Sequence, residues 1–92
     1  MYKIILPRRF KRSEKRLKYS GGYDKSGTDI VMDLLSRGVE LPQIYKDHQL
    51  GGDFAGQREC HIKPDLILCY KINTVEMTVT LIDIGSHSDL FG

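Results

Sequence analysis

The most constraining feature of this chain is a series of three strand-like segments in its C-terminal half, joined by very short connections. The segments extend over about residues 54–62, 66–72 and 76–84, and turn-forming residues at 63–65 and 73–74 separate them. Connections of this length cannot cross over a sheet, so successive strands must run antiparallel. The sequence therefore predicts a three-stranded antiparallel meander.

The N-terminal half has a different pattern, in which one short strand precedes two helices. Residues 2–6 are typical of a strand that Pro7 ends, and residues 8–19 favour a helix with a narrow apolar seam and a broad cationic face. Residues 24–37 predict a second helix, because paired aliphatic residues recur there at four-residue spacing. Residues 39–53 are expected to form a loop.

The predicted order of elements indicates an α+β fold. A strand, two helices and a three-stranded meander can pack as a four-stranded sheet with the helical hairpin on one face. The length of 92 residues allows one domain, residues 1–92, since too little chain would remain for a second core. The sheet face away from the helices is then free to form a working surface.

The charges are distributed unevenly, and this indicates a polyanionic partner. Residues 1–20 contain eight Lys/Arg and one Glu, whereas the remaining residues contain six Lys/Arg and eleven Asp/Glu. The plainer interpretation is that the cationic helix simply has a solvated face. Either ribosomal RNA or an acidic segment of a protein would suit it.

The composition also bears on the compartment. No apolar run approaches the roughly 20 residues of a membrane span, and the N-terminus turns basic after three aliphatic residues, unlike a secretory signal. Cys60 and Cys69 are interpreted as two free buried thiols rather than a disulfide. We therefore expect a cytoplasmic protein.

The three histidines lie in the second half of the chain, and each has charged or aromatic residues nearby. Imidazole both donates and accepts protons near neutral pH, so proton transfer is the first chemistry to consider. Alternation along the strand puts Glu59 and His61 on one face, and the turn at Pro64 returns Asp65 to the same end of the sheet. His48 precedes this strand and His87 follows the last one, so all four can converge.

Such a set suits RNA cleavage, in which the ribose 2′-hydroxyl attacks the neighbouring phosphorus. This reaction needs a base, an acid and a cation for the developing charge. Arg58 is a candidate cation, and if it points away from the working face, Lys46 or Lys63 must take its place. Phe91 can stack on an unpaired base.

Three blocks of the sequence carry a resemblance to a known family. Tyr45-Lys46-Asp47-His48, the block from Arg58 to Tyr70 and the block from Gly85 to Gly92 resemble the YafQ branch of the RelE toxins of bacterial type II toxin–antitoxin systems. The resemblance is strong over about residues 38–92. The first half of the chain shares only the order of elements and the basic character.

The resemblance implies a small α+β endoribonuclease that enters the ribosomal A site and cleaves mRNA to leave a 2′,3′-cyclic phosphate. It implies no metal or other cofactor, and a cognate antitoxin that silences a toxin which is monomeric when free. The residues it implicates in catalysis are His48, His61, Asp65 and His87, with Phe91 at the edge of the site. We expect His87 and Asp65 to form the proton-transfer pair and His48 and His61 to engage the 2′-hydroxyl and the phosphate.

The expected substrate-binding residues are Lys46, Arg58, Glu59 and Phe91, and two of the positions have plainer interpretations. Glu59 stands where the best-known YafQ-type sequence has an aspartate, and it could be only a surface carboxylate. Arg58 could simply pair with Asp53 or another acid. Leu66 stands where that sequence has a tryptophan, which removes a stacking surface and could change base preference.

Two other functions compete with RNA cleavage. A ParE-like toxin that acts on gyrase would share the fold but would need no histidines, so their clustering argues against it. A zinc site built from the three histidines is the least favoured alternative, because the sequence contains no HxH or HxxxH pair.

Overall fold

The computed structural model describes all residues, 1–92, and has the α+β class that the sequence predicts. In chain order its elements are β1 (Lys3–Ile5), α1 (Arg8–Ser20), α2 (Lys25–Ser36), β2 (His48–Gln49), β3 (Arg58–Lys63), β4 (Leu66–Asn73), β5 (Thr78–Gly85) and α3 (His87–Phe91). Two 3₁₀ turns, Gln43–Tyr45 and Gly52–Phe54, lie on either side of β2.

The sheet has five strands in the order β1-β5-β4-β3-β2. As predicted, β3, β4 and β5 form an antiparallel meander, because the turns between them are short. The first strand, β1, lies parallel to β5, because α1 and α2 carry the chain from β1 to the far edge of the sheet and the meander then returns to β5. The register shifts between His61 and Lys63, so β3 bends at the end that leads into the Pro64 turn.

The expectations of four strands, of a loop over residues 39–53 and of a strand from residue 54 were each wrong in part. His48 and Gln49 form a fifth strand, paired with Glu59 and Arg58 of β3. The strand predicted from residue 54 begins instead at Arg58. Gly52 and Gly56 take positive φ angles of 59° and 90°, a conformation that L-residues rarely adopt and that interrupts an extended chain.

Both predicted helices are present, and one end of each has a clear physical cause. The first, α1, ends at Gly21, whose φ of 79° is the left-handed conformation that glycine tolerates best. Asp24 caps α2, since its side chain accepts the Gly27 backbone N–H at 2.9 Å. Ile30 and Val31 are one of the aliphatic pairs that predicted α2. Val31 is fully buried whereas Ile30 is 53% exposed, so only Val31 faces the core.

The core lies between the two helices and one face of the sheet. Its twelve buried residues include the α1 anchors Phe10 and Leu17, and its full membership is Phe10, Leu17, Val31, Leu35, Leu41, Cys60, Leu66, Leu68, Tyr70, Val79, Leu81 and Ile84. Both cysteines are free and buried, as expected, and burial raises the pKa of the Cys60 and Cys69 thiols to about 12. No helix combines the length and the apolar character needed to span a bilayer.

The C-terminal residues, for which no element was predicted, form the short helix α3. Ser86 caps it by accepting the Asp89 backbone N–H at 3.1 Å, and the Asp89 carboxylate accepts the Ser86 N–H at 3.0 Å. This reciprocal capping box satisfies two N–H groups that a helix start otherwise leaves unpaired. The same backbone bond lowers the pKa of Asp89. As the first helical residue, His87 is thereby held at the end of β5.

Candidate active site

Glu59 lies at the centre of a histidine cluster on the sheet face opposite the core. The residue is only 5% exposed, so the plainer interpretation of Glu59 as a surface carboxylate was wrong. Its Oε2 lies 3.1 Å from His61 Nε2 and 3.5 Å from His48 Nε2. Strand alternation explains the first contact, and the β2–β3 register, which pairs His48 with Glu59, explains the second.

The hydrogen bonds of these two histidines define which ring nitrogens can exchange a proton. His48 Nδ1 lies 2.8 Å from the Lys46 carbonyl oxygen, and a carbonyl can only accept, so Nδ1 carries a hydrogen. The exchangeable nitrogen of His48 is therefore Nε2. His61 donates Nε2–H to the Glu59 carboxylate, which leaves its Nδ1 as the exchangeable nitrogen.

Asp65 positions His87 from the turn between β3 and β4. Its Oδ1 accepts the His87 backbone N–H at 3.1 Å and lies 3.6 Å from Nδ1 of the ring. The His87 and His61 rings are 5.6 Å apart between centroids. The predicted convergence of His48, His61, Asp65 and His87 is thus present in the structure, with two carboxylates each next to an imidazole.

Phe91 forms an aromatic edge to the cluster together with Phe54. The two rings meet edge to face, 5.2 Å between centroids, and the Phe91 ring is 6.1 Å from His87. Phe91 stays 37% exposed, so part of its ring remains available to a ligand. Phe54 was not foreseen at the site, because it was assigned to the start of a strand rather than to a turn.

Two lysines line an open cleft next to the cluster. The cleft, of about 450 Å³, is lined by Ile44, Lys46, His61, Ile62, Lys63 and Pro64. Lys46 and Lys63 therefore supply positive charge on the side of His61, as expected if Arg58 points elsewhere.

Arg58 does point elsewhere, and it is not part of the cluster. Neighbouring side chains alternate along β3, so Arg58 lies on the face opposite Glu59 and pairs with Asp47, with Nη2 2.7 Å from Oδ2. That hydrogen bond raises the pKa of Arg58. The Tyr70 hydroxyl donates to the same carboxylate.

Part of the cationic helix α1 borders the site. Arg9, Arg12 and Arg16 line a second open cleft, of about 520 Å³, together with Ser13, Asp83 and Asp89. Asp83 is held by Ser13 at 2.5 Å and by Arg9 at 3.1 Å. Because Asp89 belongs to α3, this cleft places arginines next to the helix that carries His87.

The cluster also has the donor set of a transition-metal site. One ligand atom each from Glu59, His61 and His87 lie within 4.8 Å of one another. Imidazole and carboxylate groups suit Zn²⁺ and Cu²⁺. The alternative zinc site considered from the sequence had three histidines as ligands. The donor set in the structure consists instead of Glu59, His61 and His87.

Comparison with known proteins identifies the family. A family model described as a bacterial toxin of type II toxin–antitoxin systems, YafQ, matches residues 2–92. The chain belongs to this family. It is 33% identical to the mRNA interferase toxin YafQ of Escherichia coli K12 over an alignment that covers 86% of this chain and 98% of that relative.

Solved structures similar to this chain share its fold over the whole chain. YafQ from E. coli BL21(DE3) superposes with a TM-score of 0.91 at 29% identity, with both chains fully covered. A copper-bound mutant toxin from Helicobacter pylori superposes with a TM-score of 0.90 at 35% identity and covers 99% of this chain. YafQ in the E. coli DinJ–YafQ complex gives 0.87 at 30% identity and full coverage of both chains.

Proposed function

We propose that this toxin is an endoribonuclease that cleaves mRNA on the ribosome by attack of the ribose 2′-hydroxyl. The observation that carries the proposal is the convergence of three imidazoles and two carboxylates on one exposed end of the sheet. A relative that covers most of the chain is named an mRNA interferase toxin, which supports the same activity.

In this mechanism the proton-transferring groups act on opposite sides of the phosphorus. Attack and departure occur roughly in line, so a base must meet the 2′-hydroxyl and an acid must meet the leaving 5′-oxygen. His61 and His87, with ring centroids 5.6 Å apart, can flank such a phosphate. Asp65 accepts the His87 backbone N–H and lies beside its ring, so the Asp65–His87 pair transfers the proton on one side of the phosphorus while His61 acts on the other.

The Glu59 carboxylate contacts the rings of both His61 and His48. Its carboxylate fixes the Nε2–H of His61 and stabilises the imidazolium form when that ring takes a proton. His48 Nε2 lies 3.5 Å from the same oxygen, so one carboxylate orders both rings, which we assign to the 2′-hydroxyl and the phosphate. Glu59 is thus a partner of the histidines rather than a contact of the nucleotide.

The charge that develops on the phosphate is balanced by lysines rather than by Arg58. Lys46 and Lys63 line the cleft beside His61, whereas the guanidinium of Arg58 is already committed to Asp47. Phe91 supplies the stacking surface for a base, and Phe54 supports it edge to face. Acid–base groups and cations from the chain itself account for the reaction without a metal.

The partners of this chain are an antitoxin and the ribosome with its mRNA. YafQ of E. coli forms a complex with DinJ, and we infer that a cognate antitoxin binds this toxin to give a hetero-oligomer, the free toxin being a monomer. The eight Lys/Arg in residues 1–20 suit ribosomal RNA phosphates as well as an acidic segment.

The test is cleavage of a defined mRNA on purified translating ribosomes, with the 5′ ends of the fragments mapped. We expect cleavage by the wild-type chain, a loss of about 10²-fold or more with His87→Ala, and no change with Ser88→Ala, its neighbour on the same helix. Intact mRNA, or cleavage that His87→Ala leaves unaffected, would contradict the proposal. Growth arrest that survives removal of all three histidines would instead favour the gyrase-directed alternative.

A further inference from the structure

We propose that Asp47, held by Arg58 and Tyr70, is a positioning residue that sets the orientation of His48. The inference rests on the proposed function, because it assigns a role relative to a histidine of the candidate active site. It gives Arg58 a function other than substrate binding.

Four hydrogen bonds fix the Asp47 carboxylate, one of them a longer bond of 3.4 Å from Arg58 Nε to Oδ1. Arg58 donates from Nε at 3.2 Å and from Nη2 at 2.7 Å to Oδ2, and the Tyr70 hydroxyl donates to Oδ1. Tyr70 is almost completely buried and belongs to the core, so its hydroxyl is a rigid donor. Burial raises the pKa of Tyr70 and the hydrogen bond to Asp47 adds to that shift, so the hydroxyl keeps its proton.

We call the hydrogen bonds from Arg58 and Tyr70 to Asp47 the Asp47 clamp, and the backbone around Asp47 explains why it is needed. Lys46 has a φ of 50°, a left-handed conformation that costs a non-glycine residue free energy. The strand β2 contains only His48 and Gln49, and two residues provide few ladder bonds to hold this turn. The side-chain bonds of Asp47 therefore supply the order that the short strand lacks.

The clamp acts on His48 through strand geometry. Successive side chains point to opposite faces, so fixing Asp47 on the core face directs His48 to the face of Glu59. His48 itself is about half exposed, and its only close polar contacts are the Lys46 carbonyl and Glu59. Its orientation is accordingly set by the backbone rather than by packing around the ring.

The experiment compares Asp47→Asn and the milder Tyr70→Phe with Asp83→Asn. Asp83 is the matched control, since it is also a buried carboxylate held by an arginine and a hydroxyl, but it has no contact with a histidine. Ring-nitrogen NMR reports the tautomer of each histidine in the folded protein. Single-turnover cleavage reports the rate, both alone and combined with His48→Ala.

We expect Asp47→Asn to convert His48 from a single Nδ1–H tautomer to a mixture, while His61 and His87 keep their signals. Cleavage should fall about tenfold or more with KM little changed, and in the His48→Ala background the further loss should be less than threefold, because both changes remove the same effect. Tyr70→Phe should give a smaller change of the same kind, and Asp83→Asn should leave the His48 tautomer unchanged.

An unchanged His48 tautomer, or losses that multiply fully in the double variant, would overturn the positioning role. The NMR arm is independent of catalysis. If His48→Ala cleaves as fast as the wild type while the tautomer still depends on Asp47, the proposed part of His48 in the reaction fails and the clamp stands.

Discussion

Among single residues, Glu59 has the greatest influence on the candidate site. Its buried carboxylate contacts two histidines through one oxygen, and such a carboxylate is retained only when it is well paired. Removing its charge while keeping its volume therefore isolates its electrostatic and orienting role from packing.

We predict that Glu59→Gln lowers the rate of mRNA cleavage by about 10²-fold, because His61 loses the partner that stabilises its protonated form. The free energy of unfolding should change by only about 1 kcal/mol, since the amide can still hydrogen-bond to the rings. Single-turnover cleavage and urea unfolding measure the two effects. Glu76→Gln, in an exposed turn, is the control, and equal loss in both variants would contradict the orienting role.

The donor set of Glu59, His61 and His87 predicts inhibition by a transition metal. Zn²⁺ or Cu²⁺ should block cleavage by occupying the nitrogens that transfer protons, and a chelator should restore activity. Mg²⁺ at the same concentration should not inhibit, because it prefers oxygen ligands. Calorimetry should show that His61→Ala loses zinc binding, and binding that survives in this variant would place the metal elsewhere.

The buried cysteines predict how stability responds to alkaline pH. The pKa of Cys60 and of Cys69 rises from 9.0 to about 12 in the folded protein, so the thiols stabilise the fold fully below pH 9. That contribution is lost between pH 9 and 12, with a slope of about 1.4 kcal/mol per pH unit for each thiol. Urea unfolding from pH 8 to 11 measures the decline, and Cys60→Ala should make it shallower. An identical slope in this variant would contradict the assignment.

Among the elements, β1, the two long helices and the meander were predictable, whereas β2 and α3 were not. The hairpin turns and the anchors Phe10 and Leu17 carried enough pattern to identify the meander and α1. A two-residue strand has no periodicity, so β2 became visible only through its pairing with Glu59 and Arg58. The capping box of Ser86 and Asp89 was present in the sequence and could have revealed α3.

The candidate site, like the fold, could be predicted only in part from the sequence. Alternation predicted that Glu59 and His61 share a face, which the structure confirms. Sequence separation concealed the Asp47–Arg58 pair, whose partners are brought together by the β2–β3 register. The buried state of Glu59 depends on the surrounding three-dimensional packing, and strand alternation alone gives no measure of it.

The helix α3 depends on Gly85, and this gives a prediction for the whole element. A Cβ at Gly85 would come within 2.9 Å of the Asp89 side chain, so Gly85→Ala should disturb the capping box and displace His87. We expect cleavage to fall at least tenfold while the core keeps its stability within about 1–2 kcal/mol. Gly51→Ala is the matched control, because a Cβ there meets no atom within 4 Å. Full activity of Gly85→Ala would show that α3 tolerates the displacement.

At the scale of the whole molecule, positive charge is concentrated on α1, and one side of that helix faces the site. Arg12 and Arg16 lie in the cleft shared with Asp89, whereas Lys11 and Lys15 are exposed residues outside it. The molecule thus has a cationic surface continuous with the helix that carries His87.

We predict that Arg12→Ala with Arg16→Ala raises KM for ribosome-bound mRNA several-fold and reduces its dependence on salt, because phosphate contacts are lost. Lys11→Ala with Lys15→Ala removes the same charge and should have a smaller effect. Titration of cleavage rates at several salt concentrations compares the pairs. Equal effects would mean that α1 contributes only net charge.

The most direct test of the central claim uses an mRNA with a single 2′-deoxynucleotide at the mapped cleavage position. If the histidine cluster activates the 2′-hydroxyl, the all-ribose mRNA yields a 2′,3′-cyclic phosphate end and the deoxy-substituted mRNA remains uncut at that position. Cleavage of the substituted mRNA at the normal rate would contradict this account.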